Sequence, residues 1–207
     1  MGVADRIRVH SVEVLSDNWY VLKKTTFDFL RSDGTWQRQS RETYDRGNGA
    51  VVLPYHRSRR TVIPTRQFRY PAFVNGHDDL LIEAPAGLLD KDSPEESIRK
   101  EAMEETGHTL HHLRKVFEAY MSPGSVTEKL HFFVAEYQAG SHRETGGGVV
   151  SEGEDISTIE LELDEALRKI ETGEIRDGKT IMLLQYAKLH LFPADVTHSF
   201  PAADTGK

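Results

Sequence analysis

The sequence holds no cysteine. Disulfides and thiolate metal sites are thereby excluded, so any metal must be held by carboxylates, carbonyls, histidine or water, a donor set that suits a hard cation. Excess positive charge is also missing: 26 Lys and Arg stand against 33 Asp and Glu, for a formal net charge of -7. A general nucleic-acid binder needs the opposite, a basic footprint that neutralises phosphates. An anionic small ligand would therefore need a local basic pocket. No apolar run approaches the ~20 residues of a membrane span, and the opening "MGVADRIRVHSVEVL" lacks the apolar core of a signal peptide. Internal repeats, low-complexity blocks and heptad seams are absent too. The expectation is a soluble, cytoplasmic protein with neither nucleic acid nor membrane as a partner.

What is present is 207 residues, enough for one sizeable domain with a smaller attachment and a real core. Residues 1–46 read as β structure, because "VHSVEVL", "WYVLKKTTFDFL" and "TWQRQSRETYD" are rich in β-branched and aromatic residues, with a hairpin expected around Ser32-Asp33-Gly34. "RGNG" at 46–49 punctuates the chain, and a second sheet is expected from near Gly47. Further strand-like segments, "HLRKVFEAYM" and "LHFFVAEYQ", precede a loop with three glycines at 146–148. "LDEALRKIETG" and "KTIMLLQYAKLHLF" carry helical spacing. The division that follows is 1–46, a main domain over 47–193, and a loose tail over 194–207.

The stretch "SPEESIRKEAMEETG" from Ser93 to Gly107 predicts a helix with a capping box at its start, proline at a tolerated first position and glycine as its stop. At about 100° per residue, Glu101, Glu104 and Glu105 fall within one sector, with Ile98 and Ala102 beside it to anchor the helix on a sheet. Like charges three and four apart repel. A divalent cation would relieve that repulsion, since Mg²⁺ takes oxygen ligands and keeps waters and substrate phosphates in its shell. A bare E-x-x-E-E is more often a solvated acidic face, so the surrounding residues decide.

Those residues are a Gly-rich "AGLLD" bend before the helix, Arg99-Lys100 beside Glu101, and the closing "EETG". Together they resemble the Nudix box: Gly, five residues, Glu, seven residues, Arg-Glu, an aliphatic, any residue, Glu-Glu, any residue, Gly, aliphatic. Here Ala86 stands at the first Gly, Asp92 at the early Glu, Lys100 at the Arg and His108 at the last aliphatic. The core "EAMEETG" matches intact. "YDRGNGAVVL", "RQFRYPAFVNG", "LIEAPAGLLD", "YMSPGSVTEKLHFFVAEY", "GEDI" and "GEIRDGKTIMLLQY" further resemble the GDP-mannose hydrolases of that superfamily, relatives of the ADP-ribose pyrophosphatases.

The resemblance implies an α/β fold, an α/β/α sandwich around a mixed sheet with an N-terminal β subdomain that exchanges between the protomers of a homodimer. It also implies hydrolysis of the pyrophosphate of a nucleotide sugar, GDP-mannose to GMP and mannose 1-phosphate, with Mg²⁺, or Mn²⁺ in its place. The metal ligands implied are the carbonyl of Ala86 with Glu101, Glu105 and Glu154, Ala86 and Glu105 also standing at the substrate. Glu104 would lie beside the metal or join its shell. Bound Mg²⁺ would neutralise the pyrophosphate and acidify an attacking water. A base need not come from the box: the loop "GGGVVSEGEDI" carries Glu152, Glu154 and Asp155 on what reads as a flexible tether, a suitable lid. Glu154 is the first choice for base and Glu128 the second.

Arginine's planar fork suits phosphate oxygens. Arg69, Arg41 and Lys179 match family substrate contacts, with Arg66 and Arg46 as neighbours. Trp19 matches an aromatic that stacks on the base, and with exchanged subdomains Trp19 and Arg41 would serve the partner's site. His108, His111 and His112 read as solvated positions. Two other functions stay open: an ADP-ribose or broad nucleotide-sugar pyrophosphatase, and a catalytically silent nucleotide-binding domain on the same fold.

Overall fold

A computed structural model describes residues 2–89, 91–138, 140, 146–149, 151 and 153–192; the expected loose tail lies outside them. The strand-rich beginning is an antiparallel meander of β1 (Ile7–Asp17), β2 (Val21–Leu30) and β3 (Trp36–Asp45). Its second turn is the hairpin expected from the sequence. Asp33 Oδ1 accepts from the backbone N–H and the hydroxyl of Thr35, and Gly34 takes the left-handed φ of 83° that the turn requires.

Two bulges interrupt β1, between Val9 and Ser11 and between Val14 and Ser16. The first has a large effect on the surface. Directly opposed residues share a face, so Ile7, Val9, Val12 and Val14, which oppose Phe29, Phe27, Thr25 and Lys23, line one side of the sheet. Strict alternation would have split these four between the two sides. Val9, Val12 and Val14 remain more than half exposed.

The central sheet runs in the order β12 (Leu161–Glu162), β5 (Thr61–Val62), β4 (Gly49–His56), β10 (Lys129–Glu136) and β9 (His111–Tyr120), with β8 (Ala86–Leu88) also paired to β4. β4 and β10 are parallel neighbours, buried on both faces and nearly continuous in apolar residues. Alternation divides them. Ala50, Val52, Phe133 and Ala135 pack with Ile98 and Ala102 of α2 (Pro94–Thr106), while Val51, Leu53, Phe132 and Val134 pack with α3 (Leu163–Glu171) and α4 (Gly178–Tyr186). One turn of π-helix, Ala187–Leu191, extends α4. The architecture is the α/β/α sandwich with a mixed sheet.

A third, short sheet of β11 (Ser157–Thr158), β6 (Thr65–Gln67) and β7 (Leu81–Glu83) stands beside it, with the one-turn helix α1 (Tyr70–Val74) between β6 and β7. Thr65, Gln67 and Glu83 point to one side of this sheet and Arg66 and Ile82 to the other, as the pairs Thr65 with Glu83 and Arg66 with Ile82 require. Among the described residues no helix is long and apolar enough to cross a membrane.

Candidate active site

The acid-bearing helix α2 begins as expected: the Ser93 hydroxyl accepts from the Glu96 N–H while the Glu96 carboxylate accepts from the Ser93 N–H. Gly107 ends it with φ 68°. Ile98 and Ala102 are fully buried under the central sheet, so the three glutamates project from a fixed element. Glu105 is buried, at 2% exposure, and its Oε2 has no hydrogen-bond partner. Burial first, then the charges of Glu101 and Glu154, push its carboxyl up to about 8, with Arg69 pulling the other way. Glu101 lies against Gly87, where a Cβ would come within 1.9 Å of Glu101 Oε1. A glycine one residue past the expected position thus gives the carboxylate its room. Ala86, Glu101 and the exposed Glu104 line a cleft of about 1010 Å³.

The glycine loop departs from expectation. Gly147 and Gly148 donate their N–H groups to the carbonyls of Glu105 and Glu104, each at 3.1 Å, and a Cβ on Gly146 would stand 2.6 Å from the Glu105 carbonyl oxygen. These are the carbonyls a helix C-terminus leaves without partners. The described part of the loop is therefore bound to the acidic end of α2 rather than being the flexible tether that its glycines suggested. Close approach, and a φ of 142° at Gly147, account for glycine there. Val149 N–H donates to Glu154 Oε2 at 2.9 Å, and buried Ile156 anchors the far side. Glu154 and Asp155 line the cleft; Glu152 lies outside the described residues.

The cleft also has a basic lining. Arg69 Nε donates to Glu83 Oε1 at 2.7 Å, and Lys179 is ion-paired to Glu83 and, at 2.9 Å, to Asp177. The Glu83 side chain is only 3% exposed. Burial alone would raise its pKa, but Lys179 and Arg69 outweigh it and hold the carboxyl below the usual range. Lys179 and Arg69 are each raised despite burial, by Glu83 above all. Asp177 is also the N-cap of α4, accepting from Thr180 N–H at 2.9 Å. Sequence reading picked out both cations and overlooked Glu83 and Asp177. The signals were a lone charge inside the apolar run "LLIEAPAG" and the capping pattern "DGKT".

The remaining candidates divide. Glu128, 13% exposed at its side chain, receives Arg46 at 3.3 Å, and Arg46 sits 5.4 Å over the Tyr20 ring; all three line the cleft. Trp19, at the β1–β2 turn, lines this chain's own cleft and is 78% exposed, an open platform. Arg41 is not brought to this cleft: it lies on β3 opposite Thr25, on the apolar side of the N-terminal sheet, and donates to the Ser40 carbonyl. Arg66 points away too, toward Asp79 and a separate cavity behind the short sheet. Asp92 and Lys100, standing where the box has Glu and Arg, form an ion pair with each other. His108, expected in solvent, is half-buried with its ring 5.4 Å from that of Tyr137.

Comparison with known sequences and structures decides the family. The NUDIX domain matches residues 45–184. The chain belongs to the Nudix family. Residues 6–44 match the family described as the GDP-mannose pyrophosphatase NudK N-terminal domain. Proteins named GDP-mannose pyrophosphatase are similar over most of the chain: that of Citrobacter koseri is 52% identical, covering 89% of this chain and 96% of its own length. Those of Pectobacterium atrosepticum and Yersinia enterocolitica are each 55% identical, covering 84% and 86% of this chain and 90% and 93% of their own. A solved structure titled as an ADP compounds hydrolase superposes with a TM-score of 0.64 over 87% of this chain and 91% of that one, at 16% identity, which shows a shared fold.

Nudix hydrolases generally act with a divalent metal, and the acid wall fits one. Its donors are all oxygen, Glu105 Oε2 is buried and unpartnered, and Glu101 occupies space that any side chain at 87 would fill. Among the described residues no three acidic or imidazole side chains form a ready-made cage. An ion here would complete its shell with the Ala86 carbonyl, water and substrate oxygens, the habit of a hard cation.

Proposed function

We propose that this chain hydrolyses the pyrophosphate of GDP-mannose, releasing GMP and mannose 1-phosphate. The observation that carries the reading is that oxygen donors, Glu101 and Glu154 with the buried Glu105 within reach of their charges, and two cations, Arg69 and Lys179, are gathered at one cleft. A nucleotide sugar diphosphate needs both, a cation and phosphate-binding donors. The likeness to GDP-mannose pyrophosphatases supports the choice of substrate. Release of GMP from GDP-mannose, compared with AMP from ADP-ribose under the same Mg²⁺, tests it. GDP-mannose is to be cleaved at least about tenfold faster in kcat/KM, the discrimination that one or two differential polar contacts supply; the reverse ratio would leave a pyrophosphatase of another specificity.

The ion assigned is Mg²⁺, held by the Ala86 carbonyl and by Glu101, Glu105 and Glu154. When bound it neutralises phosphate charge and lowers the pKa of water. Arg69 and Lys179 orient the pyrophosphate, and Trp19 presents a flat apolar face to the purine. With Glu154, whose charge acts on Glu105, committed to the ion, the proton of the attacking water passes to Glu128. Arg46 holds that carboxylate in place at 3.3 Å. Glu104, exposed and at the edge of the cleft, supports the acid wall through its charge.

The active form is assigned as a homodimer built through the N-terminal sheet. Ile7, Val9, Val12 and Val14 present an apolar strip of a kind monomers rarely leave uncovered, and Arg41 shares that face. A second copy would cover the strip and bring Arg41 toward the other protomer's cleft. Val12→Asp is to convert a dimer to a monomer in sedimentation; an unchanged dimer would place the interface elsewhere.

A further inference from the structure

We propose that Glu83 is a positioning residue that holds Arg69 and Lys179 together as a single clamp for the two phosphates of the substrate, an inference that rests on the function proposed above. The two cations come from distant parts of the chain, one leading into α1 and the other in the first turn of α4. A single buried carboxylate joins them. Its Oε1 accepts Arg69 Nε at 2.7 Å, and its Oε2 accepts Arg69 Nη2 at 3.4 Å and pairs with Lys179.

The carboxylate is itself fixed through the backbone. Glu83 pairs with Thr65 across β7 and β6, and the Thr65 hydroxyl donates to the Glu83 carbonyl at 3.2 Å. The next residue, Ala84, donates its N–H to Thr180 Oγ1 at 2.6 Å, and that hydroxyl donates to Asp177 Oδ2 at 2.6 Å. Asp177 also holds Lys179. Glu83, Asp177, Thr180 and Lys179 thus form one connected polar network, with Thr180 fully buried.

Stability alone is a poor reason for such an arrangement, because buried ion pairs often do no better than apolar residues of similar volume. Arg69 and Lys179 also keep hydrogen-bond donors beyond those used on Glu83 and Asp177, since guanidinium offers five and ammonium three. Both side chains line the same cleft as Glu101 and Glu154. Glu83 lies three residues before Ala86, whose carbonyl is assigned to the metal, and Pro85 between them accepts from Val52 N–H at 3.0 Å. The clamp and the ion site are therefore set on one short, tethered segment.

The test uses Glu83→Gln, which keeps the shape and removes the charge, and Glu83→Asp, which keeps the charge and withdraws it by one methylene. Binding of inorganic pyrophosphate is measured by calorimetry without metal, beside KM and kcat on GDP-mannose with Mg²⁺ and the melting temperature of each variant. Both variants are to weaken pyrophosphate binding about tenfold and raise KM by a similar factor, with kcat falling less than about threefold, as loss of uniform binding predicts. Unchanged or tighter pyrophosphate binding in a folded variant would overturn the proposal, since it would make Glu83 a neutralising or structural group only. Should Glu83→Gln fail to fold, Glu83→Asp decides alone. A wild-type chain that binds pyrophosphate and does not cleave GDP-mannose would sink the proposed substrate and leave the clamp standing; one that binds none would sink the clamp.

Discussion

Glu105 and Glu83 are both glutamates, both nearly out of solvent, and near enough for the charge of one to act on the other, yet their protonation behaviour is opposite. Around Glu105 stand Glu101 and Glu154, and burial with like charges pushes the carboxyl up to about 8. Around Glu83 stand Lys179 and Arg69, and the same burial is outweighed, so that the carboxyl stays below its ordinary range. Desolvation penalises both anions; the neighbours decide the sign. The acid wall is therefore balanced only when something positive joins it, whereas the basic wall is balanced within the chain and offers its remaining donors outward. Such a cleft is built for a cation and a polyanion together.

The most severe way to break this contrast is Glu105→Gln. It takes the buried charge from the proposed ion site while preserving shape, and kcat/KM on GDP-mannose is to fall at least about 10³-fold, the scale of several kcal/mol of transition-state stabilisation. A loss under tenfold would move the ion elsewhere. On the other wall, Arg69→Ala removes a charge-assisted contact worth ~1.5–3 kcal/mol, so KM is to rise about 10- to 100-fold with a smaller change in kcat. If kcat fell instead and KM held, Arg69 would act on the transition state alone.

The contrast is also visible in stability against pH. Folded Glu105 titrates at about 8 and unfolded glutamate at 4.5, so between those values the folded chain holds a proton that the unfolded chain has shed. Stability of the metal-free protein is then to fall as pH rises from about 5 to 8 and to level off above. Glu83, held low, contributes its change below 4.5 and leaves this window clear. Mg²⁺ favours the ionised carboxyl, so its stabilising effect is to grow over the same range. Thermal melts across pH, with and without Mg²⁺, read both trends; Glu105→Gln should flatten them, and a slope surviving that substitution would assign the proton to another group.

Much of this was legible in the sequence because it rests on local patterns. The capping box at Ser93, the Gly107 stop, the hairpin at Asp33-Gly34 and the clustering of Glu101, Glu104 and Glu105 need only neighbours within one turn. What stayed hidden depends on residues far apart in the chain. Glu83 is an ordinary strand residue until Arg69 and Lys179 arrive from elsewhere. The three glycines at 146–148 read as looseness until the α2 carbonyls that Gly147 and Gly148 cap, and that Gly146 packs against, are in view. Val12 and Val14 join the face of Ile7 and Val9 only because a bulge shifts the phase, and one strand's sequence does not announce its partner's register.

The mildest change separates the walls from the scaffold that carries them. Asp92 and Lys100 occupy two of the four box positions where this chain departs from the pattern, and they pair with each other in the lining of the cleft, with side chains 39% and 63% exposed. Solvent screens a pair so placed, and its members lie outside both the buried acid cluster and the Glu83 network. Asp92→Asn is accordingly to leave kcat/KM within about twofold and the melting temperature within about a degree, since α2 is already held by its capping box and by Ile98 and Ala102 beneath it. A tenfold loss of activity with unchanged stability would mean that this exposed pair aims the helix, and the acid wall would then depend on its surface as well as on its buried neighbours.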